Sequence, residues 1–517
     1  MTAFRNQQYL RQTSNMGMKI TRRSMLTVGS AAIATTAVST ALGGKADVQK
    51  SAASTAQSDT TVDVVVIGAG VSGLIAAREL EKLQRSTTVL EARPRIGGRC
   101  VRQQTIQNWW LDLGGQWMGK THHLFKSLTQ DLGIKVFDSY FDGNTVLIWN
   151  GKKVVVPVND DWAKSFLNIS YGDLPVPVKD RETALDLHRE FLQLVQSVDA
   201  DKPWLSPDAR TLDTQTIDTW MRKRTDSELA QFILKWYTRN GGSGGFEPGD
   251  SSILHLAQTQ KASPQGEIPE ALLLFGAVGQ VPGMLARQIR GKIRTNAAVQ
   301  AVMRQPDGRY VVKAADGTSH RCRAVVVALP PALRSRIVFE PGLPPQVSGL
   351  QQRSPMGSMF KILSVYQTAW WREQGLNGYA QGNLPTVQLT ADSSPPSGKP
   401  GVLAAFVSAD RAVSLGLQNP RARREAILAD LVQFWGPQAA APLDYVEINW
   451  GEESWTTGGF TSYLTTGAWT SFGPAWREPV GRVVWAGTES SARWAGYYEG
   501  AIQAGMDASI MVQKLLS

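Results

Sequence analysis

One stretch constrains this chain more than any other. Val62-Asp-Val-Val-Val-Ile67 is a run rich in β-branched residues, the pattern of a strand buried on both faces of a parallel sheet. It runs into Gly68-Ala-Gly70-Val-Ser72-Gly73, and Leu74 to Leu83 then follow helical periodicity. A second strand, Thr87-Thr-Val-Leu90, ends at Glu91. Each glycine has its own task. Gly68 permits a tight turn, Gly70 lets backbone approach a pyrophosphate, and Gly73 lets helix pack closely on strand. The helix N-terminus, with Ser72 in its first turn, offers unpaired N–H groups and a positive dipole end to phosphates. Glu91 can accept hydrogen bonds from ribose hydroxyls. Glycines alone would be a weak signal, but strand, glycines, helix, strand and acid in register predict a dinucleotide-binding βαβ unit.

The rest of the chain must be compatible with that unit. At 517 residues it has room for two or three domains, and at 42% hydrophobic and 19% charged it is neither wholly disordered nor a multi-span membrane protein. The formal charge of +10 invites a nucleic-acid reading until its location is considered. Arg5, Arg11, Lys19, Arg22, Arg23 and Lys45 all fall before the first acid, and without those six the remainder carries +4 with no basic run. No nucleic-acid partner is expected. Two cysteines, Cys100 and Cys322, are too few for a disulfide framework and read as two buried thiols, with a single bridge as the alternative. The histidines (122, 123, 188, 255 and 320) have no metal-like spacing, so no metal is expected and they read as structural.

At the N-terminus, paired Arg22-Arg23 precede a weakly apolar, Ala/Ser/Thr-rich stretch from Met25 to Leu42. This is too polar for a membrane span but suits a signal sequence. Residues 1–44 resemble a twin-arginine export signal, implying the export machinery as a partner and a periplasmic location. Residues 45–60 read as a linker.

The residues after Glu91 choose among dinucleotides. Glu91-Ala92-Arg93-Pro-Arg95-Ile-Gly97-Gly98-Arg99 adds a second glycine turn and several arginines, and Leu111-Asp-Leu-Gly114-Gly115-Gln116-Trp117 adds another turn. Here the sequence resembles the flavin-containing amine oxidase family, which includes monoamine and polyamine oxidases. The resemblance implies FAD, with Arg99 near the phosphates and Gly115, Gln116 and Trp117 along the isoalloxazine. It continues in Gly276-Ala-Val-Gly279-Gln280, in Asn296 to Val299, whose backbone would meet the adenine, and in Val325 to Pro331. It closes with Gly487-Thr488-Glu489 and Gly496-Tyr497, the other half of the FAD site in that family, where a helix N-terminus would face the flavin.

Three residues carry the expected chemistry. Pro355 to Lys361 matches the family segment whose lysine holds a water beside the flavin. Glu452 to Tyr463 matches the segment that supplies one wall of an aromatic cage, which puts Phe460 on that wall and Tyr497 opposite. Two π faces would hold an amine by stacking and cation–π attraction. Gly459 stands where animal monoamine oxidases carry a flavin-linked cysteine, so FAD is expected to be non-covalent.

The implied fold is α/β: a Rossmann-like FAD-binding domain (61–137, 275–341 and 446–517) with an inserted α+β substrate-binding domain (138–274 and 342–445). The implied activity is oxidation of a small amine to imine and aldehyde, with oxygen reduced to hydrogen peroxide; a homo-oligomer is compatible with it. Two alternatives stay open. One is an L-amino acid oxidase of the same superfamily, although the Gly115-Gln116-Trp117 turn lacks the arginine expected to hold a carboxylate. The other is a non-catalytic binding protein on this scaffold.

Overall fold

A computed structural model describes residues 60–156, 176–240, 244–263 and 268–517. The export signal and all but the last residue of the linker expected before Thr61 lie outside these residues. Gln57–Ser517 forms one compact unit.

Three distant parts of the chain meet in one five-stranded sheet. Its order is Lys292–Arg294, Thr87–Leu90, Val64–Ile67, Ala324–Val327 and Val483–Trp485, every pair parallel. The expected first strand begins two residues late because the Val62 N–H donates to Arg321 O of a neighbouring sheet (3.0 Å). The central strands Val64–Ile67 and Ala324–Val327 are fully buried, as a parallel sheet covered on both faces requires. Helices Val71–Lys82 and Tyr498–Leu516 cover one face, where Leu74 and Ile75 pack with Ile502, Ala508 and Val512. A second five-stranded sheet, which includes Val299–Arg304 and Tyr310–Ala314, covers the other.

A seven-stranded mixed sheet builds the other half of the molecule, in the order Asp444–Asn449, Met359–Tyr366, Gly401–Ser408, Leu389–Asp392, Leu376–Gly382, Asn144–Trp149 and Lys152–Val156. The edge strand Asp444–Asn449 straddles the expected boundary at 446. Helices Val178–Ser197, Glu228–Arg239 and Ile253–Ala262 pack around Phe191, Trp220 and Leu234 in a separate apolar cluster. Cys100 and Cys322 are both buried and free. No helix among the described residues is long and apolar enough to cross a membrane, and no group of three or more metal-ligating side chains occurs among them.

Candidate active site

A cavity of about 440 Å³ opens at the carboxyl ends of the parallel strands, where Ile67, Leu90 and Ala328 reach its wall. That is where an open α/β sheet presents its loops to a ligand. Residues separated by more than 400 positions in sequence line it together: Gly68, Gly70, Ser72, Glu91, Ala92, Arg93, Gly98, Arg99, Gly115, Gln116, Trp117, Val299, Lys361, Phe460, Gly487, Thr488, Gly496 and Tyr497.

The glycine loop has the geometry its sequence demands. Gly68 sits at φ +101°, a region that L side chains rarely adopt, and a Cβ there would lie 2.8 Å from Ala328 O. Gly70 caps the first helix, and a Cβ on it would meet nothing within 4 Å. The open space beyond it is cavity, bounded by the first turn of a helix with no side-chain cap, where N–H groups are free for an anion. Glu91 is buried and braces the loop: one carboxylate oxygen accepts from Ala69 N (2.9 Å), the other from Arg93 N (2.9 Å). Backbone access at Gly70, a buried acid at the second strand's end and unpaired helix N–H groups fit the pyrophosphate and ribose of a flavin dinucleotide.

Two expected cofactor residues do not line the cavity. Gly73 lies behind it, where a Cβ would come within 2.0 Å of Gly68 O; its role is contact between helix and strand. Glu489 is also buried and turned away. One of its oxygens accepts from Arg99 (2.7 Å) and from Thr461 Oγ1 (3.0 Å), so it holds Arg99, which does reach the cavity. The Arg99 cation in turn keeps the Glu489 carboxyl below its usual range despite burial. Arg93 lines the cavity but is already engaged by Glu453 (3.2 Å) and Thr456.

Lys361 lies on strand Met359–Tyr366 and is 3% exposed. Its ammonium donates to Gly114 O (2.7 Å) and to the Gln116 side-chain carbonyl, while Gln116 Nε2 donates to Ser393 Oγ (2.6 Å). The Nζ lies 5.4 Å from the centre of the Trp117 ring and 5.9 Å from that of Phe406. Burial pushes this ammonium well below the usual lysine range. The nearby Asp112 carboxylate opposes that fall, and burial raises Asp112 although it accepts from Val278 N and Gly279 N (2.8 Å each).

Trp117, Phe406 and Phe460 form a continuous aromatic surface, with successive ring centres 5.9 and 6.0 Å apart. Tyr497 reaches the cavity from the turn before the last helix. Thr488 Oγ1 pins that turn, accepting from Gly496 N (2.9 Å) and donating to Tyr497 O (3.0 Å). Edge-on contacts with Trp494 (5.2 Å) and the buried His122 (5.6 Å) fix the Tyr497 ring.

Sequence reasoning missed Phe406, Trp236, Tyr379 and Glu270, all of which line the cavity. Phe406 and Tyr379 sit in strands buried on both faces, where an aromatic residue looks like any core residue. Glu270 had a faint signal, an acid immediately before the apolar run Ala271–Phe275.

This fold and site define a flavin-dependent oxidoreductase of the monoamine oxidase-like fold. The chain belongs to the family described as flavin containing amine oxidoreductase, whose model matches residues 71–511. It is 36% identical to an L-amino acid dehydrogenase of Synechocystis sp. over 88% of this chain and 96% of that protein. It is 30% identical to a putrescine oxidase of Kocuria rosea, over 87% and 95% respectively. The solved structure of cyclohexylamine oxidase from Brevibacterium oxydans matches with a TM-score of 0.79 at 30% identity, over 88% of this chain and 99% of that one.

Proposed function

We propose that this protein binds FAD without a covalent link and oxidises a small amine, passing the electrons to oxygen. The observation that carries the reading is the buried Lys361 ammonium in the cavity that holds the glycine cradle, with aromatic walls from Trp117, Phe406, Phe460 and Tyr497. FAD in that cradle supplies a two-electron acceptor. Gly70, Ser72, Glu91, Arg99, Val299 and Thr488 would hold it, and Gly115 to Trp117 would border its reactive ring. Phe460 and Tyr497 would orient the amine by π contact. The apolar walls disfavour the ammonium form and so favour the neutral amine, whose lone pair the oxidation needs. The amine loses two electrons and two protons to become an imine, and water hydrolyses this to aldehyde and ammonia. Oxygen takes the same electrons and protons to become hydrogen peroxide, and Lys361 puts a positive charge where that negative charge develops.

The non-covalent link rests on Gly459 and on Cys100. The Cys100 thiol borders the cavity, but burial pushes its pKa far up and it donates to Val278 O (3.3 Å). A purified preparation should be yellow, bleach under nitrogen with amine and form one peroxide per turnover in air. Acid precipitation should leave all colour in the supernatant. A colourless protein that no added FAD restores would sink the reading, and colour retained in a washed pellet would sink the non-covalent part. The likeness to an L-amino acid dehydrogenase favours a second reading, an L-amino acid substrate with another electron acceptor. Bleaching by L-amino acids alone, with dye reduction but no peroxide, would select it.

Export of the folded, FAD-loaded protein through the twin-arginine route completes the proposal; Arg22 and Arg23 support it. Arg22→Lys with Arg23→Lys keeps the charge but removes the guanidinium pair. Periplasmic activity should vanish while FAD-loaded protein accumulates in the cytoplasm. Unchanged export of the double variant would refute the signal.

A further inference from the structure

Among the described residues, twelve buried side-chain nitrogen and oxygen atoms lack a hydrogen-bond partner, and they are not spread evenly. Five of them are both ring nitrogens of His255, Gln351 Nε2, Trp469 Nε1 and Glu489 Oε2, and these four residues line a second cavity of about 50 Å³. It shares no lining residue with the first cavity. The four come from separate segments: helix Ile253–Ala262, helix Pro345–Gln352, helix Ala468–Phe472 and the turn Thr488–Ser490. The His255 ring is held by packing alone, its centre 6.2 Å from that of Trp469 and 6.5 Å from that of Phe246. None of the four is more than 7% exposed. Orphaned polar atoms at that depth are costly, and five on one small cavity mark a place built for a ligand.

The donor set identifies that ligand. Trp469 Nε1 and Gln351 Nε2 only donate, the Glu489 carboxylate only accepts, and a neutral His255 ring does one of each. Burial keeps His255 neutral, pushing its pKa down to about 3. A small anion would be repelled by Glu489. A metal ion would find only His255 and Glu489 as strong ligands, and no group of three occurs among the described residues. Water fits, because it donates and accepts. A buried water needs about 10–15 Å³, so the cavity takes roughly three or four, and at about three hydrogen bonds each they suffice for all five atoms. We propose that this cavity is a built water site whose waters hold Glu489 through Oε2, making His255, Gln351 and Trp469 positioning residues for Arg99. The other Glu489 oxygen accepts from Arg99 (2.7 Å) and Thr461 Oγ1 (3.0 Å), and Arg99 reaches the flavin cavity. The buried Arg334 guanidinium supports the same carboxylate by charge, its own hydrogen bonds going to Leu329 O and Ser490 Oγ (3.1 Å each).

The water site stands without the amine oxidase reading; its effect on the cofactor rests on FAD occupying the first cavity. A high-resolution crystal structure of the wild type should show ordered waters bonded to these five atoms, and crystals under xenon pressure should show no gas there. His255→Phe fills the water space and removes two of the five atoms. In a dry cavity that change raises the melting temperature, because polar atoms without partners are lost. In a hydrated one it strands Glu489 Oε2, so the melting temperature should fall by a few degrees. FAD should then leave the diluted holoenzyme roughly tenfold faster or more, as followed by flavin fluorescence. Gln351→Met, which keeps the length and removes one donor, should shift both the same way by less, and it carries the comparison if His255→Phe does not fold. On a Glu489→Gln background His255→Phe should change FAD loss by less than about twofold, because no charge is left to hydrate. A dry or xenon-filled cavity, a bound anion, a more stable His255→Phe, or an equal effect on FAD loss with and without the Glu489 charge overturns the assignment. If the protein carries no flavin the FAD reading fails, and the crystal structure and the melts still decide the water site.

Discussion

Replacing Lys361 with methionine is expected to slow reaction of the reduced enzyme with oxygen about 100-fold or more, the usual scale for losing one preorganised charge or donor at a site of developing charge. Anaerobic reduction by amine should change only a few-fold. The asymmetry follows from geometry. The ammonium is fixed by Gly114 O and Gln116, away from bulk water, so on the proposed reading it would act on oxygen with little solvent to screen it. On the proposed reading amine binding would depend instead on Phe460 and Tyr497, which the substitution leaves in place. A pH signature accompanies the effect. Burial depresses the lysine, so the charged form is present below its folded pKa and is lost as pH rises through it. The wild-type oxygen rate should therefore fall with rising pH earlier than an ordinary lysine would cause, and the methionine variant should show no such fall. Asp112 titrates against Lys361, so Asp112→Asn should move the midpoint down by removing the charge that supports the ammonium. Stopped-flow measurement of the two half-reactions on variants shown to retain FAD checks all of this. Equal oxygen rates in wild type and Lys361→Met would make the lysine structural.

The cofactor half of the site was legible because its requirements are local. A tight turn, a close backbone approach and a helix start impose glycines at fixed spacing, and Gly68, Gly70 and Gly73 meet those three demands in neighbouring residues. The closing turn at Gly487 to Tyr497 was legible for the same reason, although Glu489 proved to hold Arg99 rather than reach the cavity. The opposite wall is non-local. Phe406 and Tyr379 come from strands that bury both faces, so alternation cannot distinguish a residue facing substrate from one facing core. Trp236 comes from a helix whose apolar residues also build the neighbouring core cluster. Lys361 was found by segment likeness; burial depresses its pKa and Asp112, some 250 positions earlier, opposes that fall, a partnership that only the fold creates.

Two glycine substitutions should separate cofactor binding from packing in the loop itself. In Gly73→Ala the new methyl would lie 2.0 Å from Gly68 O, a backbone atom that cannot turn aside. Helix Val71–Lys82 would have to move off the sheet, and with it the contact to helix Tyr498–Leu516, where a Cβ on Gly505 would already meet Ser72 O at 2.5 Å. Overpacking of this kind costs about 3 kcal/mol, enough to lower Tm by several degrees with or without FAD. In Gly70→Ala the methyl meets no protein atom within 4 Å, and the backbone at φ −72° and ψ 175° accepts alanine without strain. Stability without FAD should stay within about 0.5 kcal/mol of wild type. That methyl, however, occupies the space through which the pyrophosphate must approach the helix N-terminus, so Gly70→Ala should purify nearly colourless and regain little flavin from excess FAD. Thermal melts of FAD-free protein and the ratio of flavin to protein absorbance distinguish the cases. A fully yellow Gly70→Ala would place the phosphates elsewhere, and an FAD-free Gly73→Ala as stable as wild type would show that the helix can shift without loss. The contrast carries the argument: of two glycines three residues apart, one is kept free of a side chain for the protein and the other for its cofactor.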